Sequence, residues 1–170
     1  MSTSSAQLHA YGFTSAKTYL FSIIFIAGNI LLPQLAHLIP QGGLIFLPIY
    51  FFTLIAAYKF GLKVGLITAV FSPLINSLLF GMPMLAMLPI ILIKSTLLAV
   101  AAAFAAKYFG KISLLAIILA VVAYQIVGGM AEWAMTGSFA AAVQDFRLGL
   151  PGILLQIFGG FAVLKLIKNI

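Results

Sequence analysis

A single lysine lies near the middle of a long apolar segment of this chain. The residues three and four positions before and after Lys94 are all apolar, so a helix here offers it no partner of its own. A lysine at this depth in a membrane should face the interior of a helix bundle or a wet cavity. It could bind the carboxylate or phosphate of a ligand, pair with Glu132, or extend toward an interface. All three interpretations are open.

A second polar group follows 31 to 38 residues later. Gln125, Gly128, Gly129 and Glu132 share one face of a helix at spacings of three and four residues. Glycines within a polar face allow either a ligand or another helix to approach closely. Trp133, next to Glu132, is either a membrane-interface anchor or a surface on which a heteroaromatic ligand stacks.

The overall composition identifies the class of protein that must position these side chains. Of the 170 residues, 64% are hydrophobic and 6% are charged, whereas soluble domains carry roughly 25% charged residues. This excludes a soluble enzyme, a disordered chain and a nucleic-acid-binding domain. Because the chain has no cysteine, disulfides and cysteine catalysis are also excluded. The sequence therefore predicts an integral membrane protein.

Unbroken runs of Leu, Ile, Ala and Phe favour helices over a β-barrel. The predicted fold is an all-α bundle of six transmembrane helices forming a single domain over residues 1–170, with a short tail at 1–16. The predicted spans are 17–38, 43–58, 62–80, 84–106, 112–135 and 148–167.

The basic residues predict the orientation. With six spans, one side of the membrane receives Lys17, Lys59, Lys63, Lys107, Lys111, Lys165 and Lys168. Lys and Arg accumulate on the cytoplasmic side, so both termini should be cytoplasmic.

The remaining polar candidates concentrate in the outer halves of these spans, whereas the inner halves are almost wholly apolar. This distribution predicts a ligand cavity that opens to the outside and is closed toward the cytoplasm. We add Tyr50 to these candidate ligand-binding residues because its hydroxyl could donate a hydrogen bond. The outer-half candidates are Asn29, Gln34, Asn76, Glu132 and Gln156, with Gln125 and Lys94 deeper.

No pattern in the sequence supports catalysis. A nucleotide-binding Walker loop and the spaced His, Cys or Asp sets of metalloenzymes do not occur. His37 lies near the end of a predicted span, where an intramembrane protease could not use it. We therefore predict no catalytic residue, no metal site and no cofactor.

Three stretches of the chain resemble one family of membrane proteins. The chain is similar to the substrate-binding (S) components of energy-coupling factor transporters, the bacterial vitamin uptake systems, which also have six spans and cytoplasmic termini. The stretches are Gly61-Leu62-Lys63-Val64-Gly65, Ser72-Pro73-Leu74 running on to Phe80-Gly81-Met82-Pro83, and Leu150-Pro151-Gly152-Ile153-Leu154-Leu155-Gln156.

The resemblance implies a multi-pass protein of the bacterial plasma membrane that binds a vitamin or related micronutrient on its outer side. A separate transmembrane scaffold with two ATPases would then drive release inward. Family members bind the ligand with spans four to six, and span one here lacks the family's Ala-x-x-x-Ala scaffold contact. The matching positions are Lys94, Gln125, Glu132, Trp133 and Gln156.

The ligand and two other functions stay open. Lys94 favours an anionic ligand, Glu132 with Trp133 favours a cationic heterocycle, and both charges together could hold a zwitterion. If Lys94 and Glu132 form an ion pair with each other, neither charge predicts the charge of the ligand. The alternative functions are a stand-alone secondary carrier or channel working as a homo-oligomer, and a purely structural membrane subunit.

Overall fold

The computed structural model describes residues 8–170, so positions 1–7 of the predicted tail lie outside it. All regular secondary structure in this range is helical, which confirms the predicted all-α class. The elements are α1 (Ala16–Ala36), α2 (Gly42–Phe46), a 3-10 turn (Pro48–Tyr50), α3 (Phe51–Phe60), α4 (Leu62–Phe80), α5 (Leu88–Phe109), α6 (Leu114–Thr136), α7 (Phe139–Ala142), α8 (Gln144–Arg147), α9 (Leu150–Leu154), a π turn (Leu155–Gly159) and α10 (Gly160–Leu166).

Four helices, α1, α4, α5 and α6, are long and apolar enough to cross a membrane. Their outer surfaces are apolar as well. On α1, for example, Leu20, Ile23 and Leu31 are 57%, 65% and 65% exposed. Apolar surface on this scale needs lipid or another apolar partner to cover it. These lengths and this surface fit a helical membrane protein.

The other two predicted runs are interrupted. The run 43–58 bends at Leu47, whose backbone is left-handed, and resumes at Pro48. The run 148–167 contains the π turn between α9 and α10. Two shorter apolar helices result, Pro48–Phe60 and Leu150–Leu166.

The centre of the bundle is α3, which contacts α1, α4, α5 and α10. Its residues from Thr53 to Phe60 are all buried. A largely apolar helix is expected in such a position. The contact with α4 is close because Gly65 has no side chain: a Cβ there would lie 2.8 Å from the Ala57 Cα.

Contacts between distant parts of the chain define one end of the bundle. The His9 backbone N–H donates to the Lys59 carbonyl at 2.9 Å, and the Lys59 Nζ donates to the Lys168 carbonyl at 2.9 Å. The Tyr58 hydroxyl donates to the Lys111 carbonyl at 2.8 Å. We call this the lysine end. Lys59, which the sequence places in a turn, is fully buried in the last turn of α3.

Candidate ligand-binding site

Lys94 is buried between two carboxylates near the opposite end of the bundle. Its Nζ donates to Glu132 Oε2 at 2.5 Å and to Asp145 Oδ2 at 2.9 Å. The side chains of Lys94, Glu132 and Asp145 are 4%, 7% and 13% exposed. The ion pair with Glu132 that the sequence leaves open is therefore present, with Asp145 as a third member. We call these three residues the charge cluster.

Gly128 of α6 gives Lys94 its space. A Cβ on Gly128 would lie 2.7 Å from the Lys94 Cγ, so the lysine stem packs where a side chain would otherwise stand. Glu132 follows Gly128 by one helical turn and therefore lies on the same face of α6. The predicted polar stripe thus receives a lysine side chain from α5.

Asp145 comes from the connection after α6 rather than from a long helix. In that connection, the Ser138 hydroxyl accepts a hydrogen bond from the Ala141 backbone N–H at 3.3 Å and caps α7. The Phe139 ring meets Trp133 edge-on, with ring centroids 5.4 Å apart. These contacts fold α7 and α8 back toward α6, which brings Asp145 to Lys94.

A cleft of about 630 Å³ is lined in part by residues on either side of Asp145 in the chain, although none of the three charge-cluster residues lines it. It lies between the α1–α2 connection and the connection that carries α7 and α8. Asp145 lies between two of the lining residues in the chain and contacts Lys94. The cleft is lined by Gln41, Leu44, Ser138, Ala140, Ala141, Gln144, Arg147 and Leu148.

A buried, uncharged polar group adjoins the charge cluster. The Tyr124 hydroxyl donates to Gln156 Oε1 at 2.9 Å and accepts from Gln125 Nε2 at 2.9 Å. The Tyr50 ring lies 5.5 Å from the Tyr124 ring, measured between centroids. This group joins the 3-10 turn, α6 and the π turn.

Within this group, Gln156 has an unused donor. The residue is fully buried, and its Nε2 has no hydrogen-bond partner among residues 8–170. An unpaired buried N–H is unfavourable by about 1–3 kcal/mol, so such groups call for an explanation. Gln156 also lies in the π turn, an irregularity that occurs frequently at functional sites. A ligand acceptor atom would satisfy this donor.

Asn29, Gln34 and Asn76 lie in a separate polar network between α1, α3 and α4. The Asn29 Nδ2 donates to the hydroxyls of Thr53 at 3.0 Å and Ser72 at 3.2 Å. The Asn76 Nδ2 donates to the Asn29 carbonyl at 2.9 Å, and the Gln34 Nε2 reaches Asn76 Oδ1 at 3.5 Å. The sequence proposes these three residues as ligand contacts, but the structure pairs them with one another, away from the cleft lining.

Trp133 is about half exposed despite its contact with Phe139. Its position one residue after Glu132 turns it outward from the charge cluster. This exposure suits an interfacial anchor, and the Trp133 ring contacts Phe139, which is not among the residues that line the cleft. His37, at the end of α1, is exposed as well.

Sequence reasoning assigned no ligand role to Asp145, Arg147, Gln41 or Gln144. A signal for Asp145 was nevertheless present, because Glu132 and Asp145 are the only two acidic residues in the chain. A buried lysine requires a counter-charge, so both acids were candidates. Gln41, Gln144 and Arg147 reach the cleft through the folding of the connections, which leaves no periodic pattern.

Comparisons with protein-family models, with curated proteins and with solved structures found no match for this chain.

Proposed function

We propose that this chain is the membrane-embedded substrate-capture subunit of an ATP-driven uptake transporter. It binds a vitamin-like small metabolite at the cleft and charge cluster, and a separate transmembrane scaffold with two ATPase subunits drives release to the cytoplasm. The observation that carries the proposal is the buried lysine between two carboxylates, one of which, Asp145, belongs to the short segment that lines the cleft. Buried charges in membrane helices are expensive to insert and usually belong to binding sites or ion pathways.

The proposed topology has six spans in a bacterial plasma membrane, with Pro48–Phe60 and Leu150–Leu166 as the two short ones. The lysine end would face the cytoplasm, since Lys and Arg are retained there. The cleft and the charge cluster would then open to the outside, where nutrients are captured.

Cysteine labelling tests this topology directly, because the chain has no cysteine of its own. We expect a membrane-impermeant maleimide to label Gln41→Cys on intact cells and Lys107→Cys only after permeabilisation. Both positions are exposed in the structure. Labelling of Lys107→Cys on intact cells would contradict the proposed orientation.

The capture function predicts a stable complex with one small metabolite and no transport by the chain alone. Native mass spectrometry of the protein purified from its own source should show one ligand per chain. As a control, liposomes that contain only this protein should not take up that metabolite when its concentration is higher outside. An empty protein that conducts alone would instead favour the stand-alone carrier or channel.

A further inference from the structure

The two carboxylates of the charge cluster are held in different ways. Glu132 belongs to the long helix α6, whereas Asp145 belongs to α8, which has four residues. The Asp145 side chain is 13% exposed against 7% for Glu132. Its neighbours Gln144 and Arg147 line the cleft. Asp145 is therefore the carboxylate that a short segment could withdraw.

The charge cluster has one more negative than positive charge, because two carboxylates contact one ammonium group. Lys94 and Glu132 form a neutral pair inside the bundle, and Asp145 adds one negative charge. If a ligand carboxylate replaced Asp145 at the Lys94 Nζ, the buried charge and the type of hydrogen bond would both stay the same. Asp145 could then turn toward the cleft, where Arg147 supplies an exposed positive charge.

We propose that Asp145 holds the position of a ligand carboxylate, and that a small carboxylic acid entering the cleft displaces it from Lys94. This inference rests on the proposed capture function and specifies its ligand class. The ligand and Asp145 compete for the Lys94 ammonium group. The apparent affinity for the ligand is therefore the intrinsic affinity multiplied by the fraction of time that Asp145 leaves Lys94 free.

The Asp145→Asn variant tests the competition, with valerate as the probe and valeramide and inorganic phosphate as controls. The fluorescence of Trp133, the chain's one tryptophan, reports binding because its ring contacts Phe139 in the same connection. We expect valerate to bind Asp145→Asn about tenfold more tightly than the wild type, if Asp145 occupies Lys94 about nine-tenths of the time. Valeramide and phosphate should produce no saturable change.

Matched variants separate this effect from a general loosening of the site. Asp145→Glu, which keeps the carboxylate, should return the valerate affinity to near the wild-type value. Glu132→Gln should not increase it, because Asp145 still competes. Equal or weaker valerate binding by Asp145→Asn overturns the inference, while a co-purified metabolite would still support capture.

A second measurement uses the unaltered chain and does not depend on how the variants fold. Saturating valerate should increase amide hydrogen exchange in residues 139–148, and valeramide at the same concentration should not. Unchanged or slower exchange in that segment would contradict displacement of Asp145.

Discussion

Lys94→Met is expected to weaken the binding of an acidic ligand strongly and to destabilise the chain. Glu132 and Asp145 both contact the Lys94 Nζ and would be left close together without a buried counter-charge. Removing one partner of a buried ion pair lowers the free energy of unfolding by about 3–5 kcal/mol. Loss of a charge-assisted bond should weaken binding by about 100-fold. Thermal unfolding in detergent and titration with the co-purified metabolite measure the two effects.

Two further variants show whether the charge cluster causes these losses. Lys94→Met combined with Glu132→Gln and Asp145→Asn removes all three charges and should recover most of the stability without recovering binding. Lys107→Met removes an exposed lysine at the lysine end and should change neither property. If Lys94→Met unfolds and binds like the wild type, the charge cluster has neither role.

Gln156→Leu is expected to weaken ligand binding by about tenfold or more, since a site that offers a buried donor loses that much when the bond is lost. The stability of the empty protein should change by only about 1 kcal/mol. The variant removes the unpaired Nε2 but also the acceptor of the Tyr124 hydroxyl, and these effects oppose each other. Calorimetric titration and thermal unfolding separate the two quantities.

Gln34→Leu is the matched control for that substitution. Gln34 is half-buried in the polar network of α1 and α4, with one long hydrogen bond to Asn76. The Gln34→Leu substitution should therefore leave ligand affinity unchanged. If Gln156→Leu binds normally and only the stability differs from the wild type, Gln156 has a packing role instead.

The long helices could be predicted closely from the sequence, because apolar runs and their end signals are local. The predicted span 62–80 coincides with α4, which ends where Gly81 takes a left-handed backbone. The predicted span 84–106 is less accurate, since α5 begins at Leu88 and continues to Phe109. The apolar residues before Leu88 resemble a helix in composition although their backbone does not form one.

The interruptions could not be predicted in the same way. Leu47 is a buried leucine in a left-handed conformation, which is sterically unfavourable for leucine and which its local sequence does not favour. The π turn likewise occurs within an ordinary apolar sequence. Local preference gives no signal for either feature.

The site was predictable to a different degree for each of its parts. The need for a counter-charge identified Glu132 as a partner for Lys94, because only two acids are available. Asn29 and Asn76 share the outer-half position of the ligand candidates, yet they hydrogen-bond to each other's helices. A polar side chain in a membrane helix can bind either a ligand or a neighbouring helix. The same residue types serve both purposes, so the sequence alone does not distinguish them.

The π turn makes residue spacing across the last apolar helix irregular. Each residue of a regular helix advances the side-chain direction by about 100°. Each residue of the wider π turn advances that direction by less, so Leu155–Gly159 takes up one extra residue without changing the direction of side chains beyond it, such as Lys165. In evolution, a one-residue deletion here would therefore turn the last apolar helix into a regular one while its downstream residues kept their neighbours.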